Sequence, residues 1–244
     1  MDDQLSKLVY GAIGGGLVAA LFRIIEKWIE RRSAQSLEAR KTLAKYAKPL
    51  WLACHELEQR LAHIHAGLKN PQALTRAPEK GRTLDWCTKE GYYATSTIYL
   101  LASVSAWITL FQRDVVFLEF KHESLTAQFF QCVEHFKSSI STGTILWYHY
   151  LIGIGQQLLP LGADRPMTLA AFVNTLHTND QFRAFFDQSF QFLKKIAAGE
   201  YRDQIGSALA AVQEIKRFLV TNQAVPVLTQ QREGGEALEA EGMP

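Results

Sequence analysis

The sequence predicts an all-α protein: an N-terminal single transmembrane helix that continues into a stalk, then a cytoplasmic multi-helix bundle. Three observations lead there. Residues 8–22 form an uncharged, glycine-rich run bracketed by Lys7 and Arg23. From Leu50 onward, apolar residues recur every three or four positions, which is the helical period. The one stretch with strand-like composition, residues 143–160, has no second strand to pair with. The expected divisions are a short tail at 1–7, a transmembrane or interfacial helix at 8–29, a charged helical stalk at 30–47, a bundle at 48–222 and a disordered acidic tail at 223–244.

The opening run is short for a span, since crossing a bilayer takes roughly 20 residues at about 1.5 Å each. Ile24, Ile25, Trp28 and Ile29 extend its apolar pattern past Arg23, whose charge can snorkel to the headgroups. The run also carries small residues at helical spacing. Gly11 and Gly15 form a Gly-x-x-x-Gly pair, Gly15/Ala19 and Gly16/Ala20 repeat it, and Gly14 and Val18 stack on the neighbouring row. In water each glycine costs a helix about 1 kcal/mol relative to alanine. In lipid such a face lets two backbones approach closely. The expected helix–helix contact is therefore Gly11, Gly14, Gly15, Gly16, Val18 and Ala19, and the expected state is a homo-oligomer. Arg23, Lys27, Arg31, Arg32, Arg40, Lys41, Lys45 and Lys48 follow the run and only Lys7 precedes it. The positive-inside rule then places the N-terminus outside and the bulk of the chain in the cytoplasm, as for a bacterial inner-membrane protein.

Composition bounds the rest. With 48% hydrophobic and 20% charged residues, the chain has ample material for a core. A net charge of +2 gives no strong pull toward nucleic acid. Cys54, Cys87 and Cys132 are odd in number and sit in apolar helical patterns, so they read as reduced core residues.

In chain order, one helix is expected over about 4–46, its middle charged nearly all round by Glu26, Lys27, Glu30, Arg31, Arg32, Arg40 and Lys41. Pro49 then opens a second helix with an apolar seam of Leu50, Cys54, Leu57, Leu61, Ile64 and Leu68. Gly67 and Asn70-Pro71 end it, and residues 69–82 form a polar loop. A third helix covers about 84–120. Residues 91–112 carry no charge and must be weighed as a second span, but six serines and threonines and three tyrosines mark a buried central helix instead. A fourth follows at 123–141, facing inward with Leu125, Phe129, Cys132, Val133 and Phe136. Residues 143–160 read as helix broken near Gly153 and Gly155. Thr168 caps a short helix to about His177, and Asn179 or Asp180 caps the next, with Phe182, Phe185, Phe186, Phe190 and Leu193 on its face. A last helix is expected over 201–220.

Chemistry is sparse. His55-Glu56 lacks a second histidine four residues on, where Gln59 stands, so it is no zincin motif. No phosphate loop, nucleophile elbow, metal motif or cofactor fingerprint occurs, and none of these groups is expected. The sharpest pattern is Arg60-Leu-Ala-His-Ile-His65, an Arg-x-x-x-x-His spacing. It resembles the motif of HEPN-type ribonucleases, all-helical domains in which Arg and His from two protomers cleave RNA. The resemblance would make Arg60 and His65 catalytic candidates in a membrane-tethered nuclease or pore-forming defence effector. The polar residue that usually follows the motif's arginine is Leu61 here. On a straight helix, positions five apart lie about 140° apart, so Arg60 and His65 flank the seam on opposite sides. Lys45-Tyr-Ala-Lys-Pro-Leu50, Leu57-Glu-Gln-Arg-Leu61, Arg113-Asp-Val-Val-Phe-Leu118, Ile154-Gly-Gln156 and Ala171-Phe-Val173 together resemble a group of uncharacterised bacterial helical proteins over about 40–220. That group implies a helical cytoplasmic domain and no catalytic residue. The expected function is a binding, scaffold or regulatory module whose partners are the bilayer, its own copies and a cytoplasmic protein.

Overall fold

The computed structural model describes residues 45–75, 89–115 and 123–222, and among these every regular element is helical. Helix α1 occupies residues 45–66. After a 3-10 turn at Pro71–Leu74 come α2 (Lys89–Val115), α3 (Glu123–Ser141), α4 (Tyr148–Gln157), α5 (Leu169–Thr178), α6 (Asp180–Ala197) and α7 (Arg202–Thr221). The all-α class predicted from spacing is what the described residues adopt. The span at 8–29, its glycine contact face, the stalk to residue 44, Cys87 and the acidic tail lie outside the described residues.

The α1 seam is buried as its spacing requires: Leu50, Cys54 and Leu57 are fully enclosed, and Leu61 and Ile64 nearly so. Its start is not where the proline suggested. Helix already runs from Lys45 through Pro49, so Pro49 sits within α1 and leaves the Lys45 carbonyl without its usual amide partner.

Helix α2 is the central element. It packs along α4 and also touches α5, α6 and the 3-10 turn. Residues Gly91–Asp114 are long and apolar enough to cross a membrane, yet 78% of their apolar 18-residue window is buried inside the bundle. The serines and threonines fit there because their hydroxyls donate to carbonyls one turn back. Ser105 Oγ reaches Leu101 O at 3.1 Å, and Thr109 Oγ1 reaches Ser105 O at 2.9 Å. A buried hydroxyl with a partner avoids the desolvation penalty of an orphan.

Small residues also let α4 come close. A Cβ built on Gly155 would lie 2.7 Å from the Ser105 carbonyl carbon and 2.8 Å from Ala106 N. Helix α4 is continuous through Gly153 and Gly155, which corrects the expected break: the glycines serve contact with α2 (Gly155) and with Phe185 of α6 (Gly153), not a kink. Residues 143–147, expected as helix, form the turn into α4, with Gly143 at φ +72°.

The remaining elements follow their caps and faces. Thr168 accepts from Ala171 N at 3.2 Å to cap α5, and Asn179 accepts from Phe182 N at 3.0 Å to cap α6. Phe172, Phe182 and Phe186 join α5 to α6 with ring centroids 5.0–5.8 Å apart, and such pairs add about 0.5–1.5 kcal/mol each beyond their burial. Phe129 of α3 bridges Phe111 of α2 (4.5 Å) and Phe218 of α7 (5.5 Å). The corner between α6 and α7 turns on Gly199 at φ +88° and Tyr201 at φ +62°. Stacking of Tyr201 on Phe192 at 5.5 Å accompanies that left-handed conformation.

Candidate functional site

Helix α1 presents its polar side chains to two different neighbours. Arg60 faces α2. Its Nη1 donates to Tyr93 O (2.9 Å), Ser96 Oγ (3.0 Å) and Thr97 Oγ1 (2.8 Å), and the guanidinium lies 4.0 Å over the Tyr93 ring. Three acceptors for two protons means shared bonds, an arrangement suited to a fixed strut. Burial lowers the Arg60 pKa, an effect opposed by Tyr93 and Tyr92. His63 Nδ1 stands 3.2 Å from the Tyr93 hydroxyl.

His65 faces α7 instead. Its Cε1 would be 3.0 Å from a Cβ on Gly206, and its Nδ1 is buried without a hydrogen-bond partner. Within one chain the two residues of the Arg-x-x-x-x-His pattern therefore engage different helices, in keeping with their angular separation. The ring lines a groove of about 250 Å³ bounded by the C-terminal end of α1, the 3-10 turn and the α6–α7 corner.

A second polar group ties α1 to α7. The Lys216 ammonium donates to Glu58 Oε2 and approaches His55 Nδ1 at 3.1 Å, and it lies 5.0 Å over the Trp51 ring. Gln213 Nε2 donates to Glu58 Oε1 at 3.0 Å, and Trp51 stacks on His55 at 5.3 Å. Burial pushes the Glu58 carboxyl up, but hydrogen bonds from Lys216 and Gln213 outweigh it, and the net pKa is lowered. Cys54 lies beneath this group, fully buried, and burial pushes its thiol up. A thiol so protonated is a poor nucleophile, so Cys54 and its neighbour His55 form no Cys–His pair.

The third group was not singled out from sequence. Lys137 keeps 11% of its side chain exposed at the α3–α4 junction, 3.3 Å from the Tyr148 hydroxyl and 3.5 Å from Glu134 Oε1. That hydroxyl donates to Glu134. Burial, then the hydrogen bond to Glu134, pushes the Tyr148 phenol up to about 12. The signal was present: Lys137 stands four residues after Val133 and one after Phe136, on the edge of the buried face, with Glu134 one turn back.

Among the described residues no group of three or more His, Cys, Asp or Glu could hold a metal ion. Each polar cluster joins two helices, and none combines a free nucleophile, a base and an open cleft. Compared with protein-family models, curated proteins and solved structures, the chain matches none.

Proposed function

We infer that the chain is a membrane-anchored helical binding or scaffold protein, without catalysis of its own, that self-associates through the glycine face of residues 8–22 and presents its bundle to a cytoplasmic partner. The observation that carries this reading is the burial of α2. Of the two apolar stretches that compete as spans, Gly91–Asp114 is engaged in the bundle core, which leaves residues 8–22 as the stretch whose composition points to lipid. The commitment of Arg60 to three acceptors on α2 supports the non-catalytic half, because a strut spent on packing is not free to meet a phosphate.

Carbonate washing of membranes from cells expressing the full chain tests the anchor: retention in the pellet is expected, and release by the wash overturns the reading. Replacing Gly15 with Leu should weaken a membrane-dimer signal more than Ile13→Leu, off that face, does; equal signals reject the glycine face. Arg60-dependent cleavage of RNA by the full chain would replace the scaffold reading with a nuclease.

A further inference from the structure

The groove beside His65 has features of a ligand site. Ile64, Ile196 and Ile205 line it, and the same three residues wall a small adjoining apolar cavity of about 20 Å³. Its polar lining is His65, Glu200 and Arg202. Glu200 is held by Lys195 at 2.9 Å. Arg202 is exposed and makes no ion pair among the described residues, so its charge is available to an incoming anion. The first-turn amides of α7 add to that field, since Tyr201 supplies no side-chain cap.

His65 completes the polar end. The Cε1 edge of its ring faces Gly206, and its Nδ1 is buried and unpartnered. An unmet lone pair costs less than an unmet N–H in a buried place, which assigns the ring proton to Nε2 and makes that nitrogen the donor. At about 250 Å³ the groove falls below the roughly 300–1,000 Å³ of sites for drug-sized molecules, so its occupant is small. One apolar wall, one arginine and one imidazole donor match a ligand with a short hydrocarbon chain and a single acidic head.

We propose that this groove binds a small amphipathic carboxylate, its head held by Arg202 and the His65 Nε2–H and its chain lying on Ile64, Ile196 and Ile205. The site is independent of the membrane reading, because its residues belong to the bundle alone.

Octanoate is the probe and octan-1-ol its neutral control, titrated into the full-length chain in lipid nanodiscs, or in buffer if it stays in solution, against a matching blank. Saturable octanoate binding is expected. Octan-1-ol, and octanoate with Arg202→Gln, should each bind about tenfold more weakly, the weight of one charge-assisted hydrogen bond. Ala197→Phe, which fills the groove, should abolish binding. No saturation above the blank, equal affinity for the alcohol, or an unchanged affinity in Arg202→Gln overturns the proposal. Arg202 is exposed, so that variant reads the site even where Ala197→Phe disturbs the fold.

Discussion

Arg60 both lies over the Tyr93 ring and donates to the Tyr93 backbone carbonyl, gripping one residue of α2 from its face and its main chain. Thr97 Oγ1 donates to that same carbonyl at 2.6 Å while accepting from Arg60. The guanidinium thus closes a small, largely buried network near the N-terminal end of the central helix. Planarity matters here, because the fork sets Nη1 toward the oxygens while the carbon plane covers the ring.

Arg60→Ala should therefore cost about 2–5 kcal/mol of stability, combining a charged hydrogen-bond set of about 1.5–3 with a cation–π contact of about 0.5–2. Arg60→Lys should restore less than half of that loss, since an ammonium cannot stack and bridge at once. Urea denaturation of the two variants beside the parent measures both. A loss below about 0.5 kcal/mol for the alanine variant would mean the network is not a strut.

Glu58 predicts an acid sensitivity. Its folded pKa lies below its unfolded value because Lys216 and Gln213 bond the ionised form. The stabilisation is then complete above the ordinary glutamate value of about 4.3 and disappears as the pH falls through the lower folded value. The melting temperature should decline over that acid window, and Glu58→Gln should flatten the decline while lowering stability at neutral pH. An unchanged acid profile in that variant would remove the Glu58–Lys216 pair from the account.

How much of this was legible beforehand follows from which interactions are local. The α1 seam, the face of α6 and the caps at Thr168 and Asn179 depend on spacing within one helix, and periodicity reads them directly. Gly153 and Gly155 were misread because a glycine pair looks like a breaker until the α2 backbone is seen beside Gly155. Pro49 was misread for a similar reason: tertiary burial of Tyr46 and Ala47 holds helix on both sides of it. Lys216 with Glu58 and Lys137 with Tyr148 join residues from different helices, and one sequence carries no sign of which helices meet. The divergence of Arg60 and His65 was legible, since angular position on a helix is a local property.

The two glycines that face neighbouring elements should respond differently to alanine. At Gly155 the new Cβ would meet the α2 backbone at 2.7 Å, and backbone cannot step aside. Overpacking of this kind costs about 1–3 kcal/mol, more than the roughly 1 kcal/mol gained in helix propensity. At Gly206 the nearest atom is His65 Cε1 at 3.0 Å, the end of a side chain that can rotate. Gly155→Ala should lower the melting temperature and Gly206→Ala should leave it within a degree or two. The reverse order would mean that α4, not His65, is the element able to shift.

Tyr148 predicts an alkaline sensitivity of opposite sign. Its phenol is pushed up to about 12 by burial and by donation to Glu134, against about 10 in an unfolded chain. A group whose folded pKa is raised contributes fully below its unfolded value, and that contribution fades as the pH rises from about 10 through the folded pKa. Carbon-13 labelling at tyrosine Cζ should show one phenol titrating near 12. Glu134→Gln exchanges a charged acceptor for a neutral one, so the same resonance should move toward 10 and the alkaline loss of stability should shrink. An unmoved resonance in Glu134→Gln would show that burial alone, not Glu134, holds this phenol up.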